Sequence, residues 1–457
     1  MTAEPARGAT ASQPRGLRRL GSPVAARPGR ERAVLLVLLG LTVLTLLVGW
    51  FRGRQRGELG TATPPFVFGW LPLVDVPWAV AAAVVLGLAV VAAPRLRDAR
   101  MPPLATAGAL FGVALAAGLT VGAARRGTYG WWQIFDLGPR GSFEAANEYL
   151  PGLPTLHWGV GNYLDRFAEV VPSQPVNIAG HPPLPLLLMR AIGADTAPTQ
   201  AALCIVCAAL CAPLTYAIAR SLRAGEGTAR TAGLLAALSP IVLLDGVTSM
   251  DAVFAAAGAA AAALLLARSP WLLALGGVVF GACTLLSWAL LGVGAAVALA
   301  VLLRDGVRRA VVVAAVAGAG FVGGNALLAA GWGYDPVATL LNTEAVYRNS
   351  LARVRPWWFW VLGSPVAWGI MLGPVVVAAL ARAALRRHPA AVAIAAVVVF
   401  AAVAGFTKAE TERIWLIFVP LACVGAAYAL PARRLRWALG WLAAQALVLQ
   451  LLVETVW

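Results

Sequence analysis

Apolar residues run in long unbroken stretches from Ala33 to the C-terminus, separated by short polar joints, and they do not alternate with polar ones. A strand with one wet face alternates with period two, whereas a helix immersed in hydrocarbon is apolar all round. Stretches of about 17–25 residues match a ~30 Å hydrocarbon layer, where only helices and closed barrels satisfy every backbone N–H and C=O. The missing alternation selects helices. Candidate spans fall near 33–51, 77–94, 104–123, 198–219, 230–246, 251–267, 271–287, 289–303, 310–329, 357–380, 389–406, 413–430 and 436–455, about thirteen in all. The expected fold is an all-α polytopic integral membrane protein.

The polar joints sort by charge. Placing the Arg-rich segment 1–32, read as a disordered cytoplasmic tail, on the inner side also places Arg95, Arg97, Arg100, Arg220, Arg223, Arg230, Arg304, Arg308, Arg309, Arg382, Arg386, Arg387, Arg433, Arg434 and Arg436 there. That is the expected bias for cytoplasmic loops. Arg52, Arg54 and Arg56, just after the first span, break it. Of the 20 acids, only Glu4, Glu31, Asp98, Glu226 and Asp305 fall on the inner side. Acids have little influence on topology, so their gathering on the outer side points to a use.

Composition removes alternatives. With 60% hydrophobic and 12% charged residues the chain is no soluble domain. Its net charge of +16 comes mostly from inner-side arginines, which suits anionic lipid headgroups, and no nucleic-acid motif accompanies it. Cys204, Cys207, Cys211, Cys283 and Cys423 lie inside apolar runs without ligand spacing and read as small core residues. Trp357, Trp358 and Trp360 read as an interfacial aromatic belt.

The outer loop 124–197 is long enough to be functional, and it alternates short amphipathic pieces with Pro breaks. Four segments concentrate reactive side chains on the outer side. They are GSFEAANEYLP, with Glu144, Glu148 and Tyr149; AGHPPLPLLL, with His181; SMDAVFAAAG, with Asp251; and FTKAETERIWLIFVPL, with Lys408, Glu410, Glu412 and Arg413. Asp136 lies ahead of the first segment, and a second outer loop, 331–356, adds Tyr347 and Arg348. Each segment also has a plainer reading. Glu144 and Glu148 are spaced i, i+4 as on a solvated helix face. Asp251 can be a helix N-cap after Ser249, a role that stabilises by about 1 kcal/mol. His181 can simply end an interfacial helix before Pro182, and 408–413 can be a loop with local ion pairs.

In this order the four segments resemble the GT-C superfamily of polyprenyl-phosphate-sugar-dependent glycosyltransferases, in particular its protein O-mannosyltransferase and aminoarabinose transferase branch. Those proteins carry an acidic motif in the first outer loop, a Lys-Pro-Pro-Leu-like segment, an Asp opening a later helix, and a basic-aromatic helix start before a Pro. Here Glu148 precedes His181 by 33 residues, and HPPLPLLL replaces the Lys-Pro-Pro-Leu segment. The resemblance covers roughly 104–430. It leaves two additional helices in 33–103 and a last one in 431–457. It implies a sugar donor on a polyprenyl phosphate, used at the outer face of a bacterial inner membrane.

Such a transfer explains the residue types. In an inverting reaction a carboxylate takes the acceptor hydroxyl's proton as that oxygen attacks the anomeric carbon, an assistance worth typically ~10²–10⁴-fold. The leaving phosphate gathers negative charge and needs cations beside it: arginine, lysine or a divalent metal ion. Glu148 is the first choice of base, with Glu144, Asp251 and Asp136 behind it. Arg413 and Lys408 are the choices for the phosphate, and Tyr149, His181, Glu410, Glu412, Tyr347 and Arg348 for the rest of the substrate site. The competing expectations are a transporter or lipid flippase and an inactive scaffold. Transporters place charges at mid-membrane and show repeated halves, whereas here the acids gather on one side.

Overall fold

The computed structural model describes residues 28–455. The expected tail therefore lies, up to residue 27, outside the described residues. The chain is all-α apart from a two-stranded antiparallel ribbon, Phe68–Trp70 with Val453–Thr455. Among the described residues six helices are long and apolar enough to cross a membrane: Gly29–Arg54, Val76–Asp98, Pro103–Ala123, Ala197–Ser221, Val307–Trp332 and Ala432–Leu452. Only 11% of the most apolar window of the first and 17% of that of Val307–Trp332 is buried against protein, so apolar faces are turned outward, as a lipid solvent requires.

The thirteen similar spans read from hydropathy are not what the backbone forms. Trp357–Leu372 and Pro374–Leu385 make one pair bent by 111° at Gly373, whose φ of +107° only glycine adopts readily. The 230–246 stretch is a helix Glu226–Ala237 and a short turn opened by Pro240. The 413–430 stretch divides into Thr411–Ile414, Trp415–Phe418 and Val419–Ala427, with Pro420 in the first turn of the last. Asp251–Leu265, Pro270–Leu286 and Pro389–Ala404 are apolar but shorter than a full crossing. Hydropathy windows pass over these breaks because Pro and Gly hardly lower their mean.

Small residues set the helix spacing. Gly277 and Gly281 lie one turn apart on Pro270–Leu286 and face Gly320 on Val307–Trp332, where a Cβ added to Gly320 or Gly281 would collide with the partner's carbonyl oxygen. Only glycine allows this approach, the usual basis of close helix pairs in membranes.

The two ends of the bundle differ. At one, Arg386 pairs with Glu31 (2.9 Å), Arg304 donates to Ser221 O (3.3 Å), Arg309 to Ala267 O (2.7 Å), and Arg230 to the carbonyls of Arg97, Ala99 and Met101. At the other, Arg125 donates to Leu71 O (2.9 Å) and Val453 O, Arg126 pairs with Glu454 (2.7 Å), and residues 127–192 form short helical pieces separated by prolines. Trp357 and Trp358 are half exposed, as a belt requires. Trp360 is not part of it: its ring is buried and its indole N–H donates to Leu59 O (3.2 Å).

Candidate functional site

At the loop end, four segments distant in sequence meet around one guanidinium. Arg413 sits on the single turn Thr411–Ile414, directly after two non-glycine residues with positive φ, Ala409 (66°) and Glu410 (59°). That conformation costs about 1–3 kcal/mol per residue and persists only where surroundings enforce it. Here they do. Arg355 donates to Lys408 O (2.8 Å) and pairs with Glu410 Oε1 (2.9 Å), while the Tyr347 hydroxyl accepts from Lys408 N (2.8 Å). The hook turns Arg413 inward, where Nη1 meets Asp251 Oδ2 at 2.9 Å and Nη2 lies 3.4 Å from Glu410 Oε2.

Asp251 is the first residue of its helix and not the cap that its position after Ser249 suggests; the N-cap is Met250, which makes no side-chain bond. The Ser249 hydroxyl donates to Asp251 Oδ2 (2.6 Å) and accepts from Asp251 N (3.0 Å), which fixes the carboxylate toward Arg413. Glu148 joins through an amide. It ends the 3₁₀ turn Phe143–Asn147, is wholly buried, and its Oε1 accepts from Asn177 Nδ2 (2.8 Å); Asn177 Oδ1 lies 3.5 Å from Arg413 Nη2.

His181 closes this arrangement. Its Nδ1 lies 2.6 Å from Asn177 O and 3.2 Å from the Tyr149 hydroxyl, and its ring rests on Phe254 (4.9 Å between centroids). A carbonyl only accepts, so Nδ1 carries the hydrogen and Nε2 keeps a lone pair. Burial holds the imidazole below its usual value against the pull of Asp251. Burial, with Asp251 and Glu148 nearby, pushes the Tyr149 phenol well above its own, so it stays protonated.

The structure thus brings Glu148, Tyr149, His181, Asp251, Glu410 and Arg413 together. Other expected residues lie apart from this network. Glu144 accepts from Asn147 Nδ2 (2.8 Å) and is partly exposed, and Arg348 pairs with Glu344 in solvent. Asp136 accepts from Gly138 N and the Tyr129 hydroxyl (both 2.8 Å), which hold it below the ordinary carboxylate range. Lys408 Nζ donates to Ala352 O (3.3 Å), and Tyr347 serves the hook.

Glu412 faces the other way and accepts from Val67 N (2.7 Å). Burial pushes its carboxyl up to about 7 against that N–H, with Glu410 raising it and Arg355 lowering it. A carboxyl raised in the fold favours the protonated form, so its penalty is absent below the unfolded value, ~4.3, grows as pH rises and levels off above about 7. We expect Glu412→Gln to gain on the parent in melting temperature between pH 4.5 and pH 8, with an upper bound on the order of 3 kcal/mol. Parallel melting curves for the two proteins across that range would remove Glu412 as an ionising group.

Residue reading missed three participants. Asn177 and Ser249 are uncharged, Asn177 on the short helix Val176–Ala179 and Ser249 in the loop before Asp251, and neither residue type by itself signals a role. Asp245 is buried within electrostatic reach of Glu412, Arg413 and Asp251, and its Oδ2 makes no hydrogen bond among the described residues. An acid inside the expected 230–246 span was a signal that could have singled it out. Among the described residues no group of three or more His, Cys, Asp and Glu could hold a metal ion. Arg413 itself takes the place between Asp251 and Glu410 that a metal would need, so these residues do not fit one. No protein family, curated protein or solved structure matches the chain.

Proposed function

We propose that this chain is a membrane glycosyltransferase of GT-C type that moves a sugar from a polyprenyl phosphate to an acceptor hydroxyl at the outer face of the plasma membrane. The observation that carries this reading is the convergence of Glu148, His181, Asp251 and Arg413. These are the residues singled out by the order of the four resembling segments, and they meet in one hydrogen-bonded network at one end of the bundle. Six long apolar helices among the described residues, with a bent pair and shorter apolar helices beside them, accord with a basic inner end and a loop-bearing outer end.

In this reading Glu148 accepts the acceptor's proton as its oxygen attacks the anomeric carbon, and the bond to the phosphate breaks with inversion. Arg413 supplies fixed positive charge beside the departing phosphate. Asp251 and Glu410 hold the guanidinium in place, and neutral His181 with Tyr149 shapes the adjoining wall. No general acid is needed, because phosphate leaves as an anion. Glu148 is wholly buried, so Phe143–Trp158 has to shift before an acceptor reaches it.

The test is transfer by the purified full chain from a panel of polyprenyl-phosphate sugars, with donor binding measured separately. Transfer from at least one donor is expected. Failure to bind or transfer any of them, by a chain with an intact melting transition, overturns the reading.

A further inference from the structure

The three arginines that break the charge bias, Arg52, Arg54 and Arg56, play no part in the Arg413 network. They lie at the loop end of the lipid-exposed first helix, Arg52 and Arg54 in its last turn and Arg56 just beyond, where a cavity of about 580 Å³ is lined by Gly53, Arg54, Gly57, Thr61, Thr63 and Trp70, with Ala62. The place is fixed by contacts of the same joint: Trp360 donates to Leu59 O, and Val67 N donates to Glu412.

The three guanidiniums are not equivalent. Glu58 pairs with Arg52 (3.1 Å) and lies 3.9 Å from Arg56. Arg54 lies over the Trp50 ring (4.5 Å), and among the described residues no carboxylate pairs with it. Thr61 lines the cavity, and its buried hydroxyl makes no hydrogen bond among the described residues. Trp50, Phe51 and Trp70 are exposed around the opening, and exposed Leu36, Val43, Leu44 and Leu47 run along the first helix below it. A second cavity, of about 610 Å³ at the opposite end, differs in that the carboxylates Asp98 and Glu226 line it and pair with its Arg97 and Arg230.

We infer that the Arg54 cavity binds the anionic phosphate headgroup of a membrane lipid, whose chain lies along the exposed face of the first helix. A guanidinium free of carboxylates offers a bidentate grip on phosphate, a hydroxyl adds a neutral donor, and indole rings sit at headgroup depth. An arginine merely reaching for water at a helix end would need neither the cavity nor the hydroxyl. This site is separate from the Arg413 network and stands whether or not the chain transfers sugar.

The experiment is native mass spectrometry of the full chain released from neutral detergent, titrated with phosphatidylglycerol. The probe is compared with phosphatidylcholine and with inorganic phosphate as competitor. One phosphatidylglycerol should bind ahead of the rest. Arg54→Gln should weaken it by about tenfold and Thr61→Val by about threefold, with melting temperatures unchanged. Arg56→Gln, the same change outside the cavity, should leave it within about twofold. Equal losses in Arg54→Gln and Arg56→Gln would show a diffuse basic patch and overturn the site. Equal affinity for phosphatidylcholine, or full displacement by millimolar inorganic phosphate, would overturn the anionic lipid as its occupant.

Discussion

Glu148→Gln is expected to lower sugar transfer by about 10²-fold or more while donor binding stays at the parent level. The substitution keeps the side chain's size, and the amide oxygen still accepts from Asn177 Nδ2, the bond that Glu148 Oε1 makes at 2.8 Å. What it removes is the proton acceptor. Because the network around Arg413 retains Asp251 and Glu410, the guanidinium keeps its partners and the fold is spared. Glu144→Gln is the internal control, since Glu144 is partly exposed and bonded only locally, and it should transfer at close to the parent rate. Asp251→Asn should also impair transfer, through loss of Arg413 positioning. Parent-rate transfer by Glu148→Gln with a dead Glu144→Gln or Asp251→Asn would move the base elsewhere and leave the rest of the proposal standing.

Arg413→Ala is expected to damage the protein itself. From the chain alone this change reads as a loss of donor affinity in a well-folded variant; the geometry corrects that expectation. Arg413 is almost wholly buried, and its removal strands the Asp251 and Glu410 carboxylates in a low-dielectric interior. Breaking one side of a buried ion pair costs about 3–5 kcal/mol, comparable to the whole stability of many domains. It also releases the strained Ala409–Glu410 turn from one of its ties. We expect Arg413→Ala to melt far below the parent or fail to accumulate. Arg413→Lys should fall between, because a compact ammonium cannot span both carboxylates as a planar fork does. Adding Asp251→Asn to Arg413→Ala should recover part of the loss, since one stranded charge is then gone. An Arg413→Ala chain that melts with the parent would mean the pair carries no structural load. Donor affinity is properly compared on Arg413→Lys, which keeps a cation at the site and is expected to lose less stability than Arg413→Ala.

Membrane helices were legible from the chain because hydrocarbon leaves no other way to satisfy a backbone, and unbroken apolar runs report that directly. The sorting of arginines and acids was legible for a similar reason, since charge cannot rest cheaply within the layer. Residue type and order in the chain put Glu148 ahead of Glu144 as a base and Lys408 beside Arg413 for a phosphate, without showing which of them share a site. Only the packed chain separates them. Packing, and not spacing, leaves Glu144 partly exposed and brings the fully buried Glu148 to Asn177; the Arg355 clamp on a left-handed turn, and not local sequence, swings Arg413 inward while Lys408 binds a backbone carbonyl. Asn177, Ser249 and Asp245 enter through contacts between segments far apart in the chain. The breaks at Gly373, Pro240 and Pro420 were equally hidden, because a hydropathy average weighs how apolar a stretch is and carries no record of where its backbone must bend. Solvent preference is a property of each residue and can be read along a line. Which charges face one another depends on distance in three dimensions, which the folded chain alone decides.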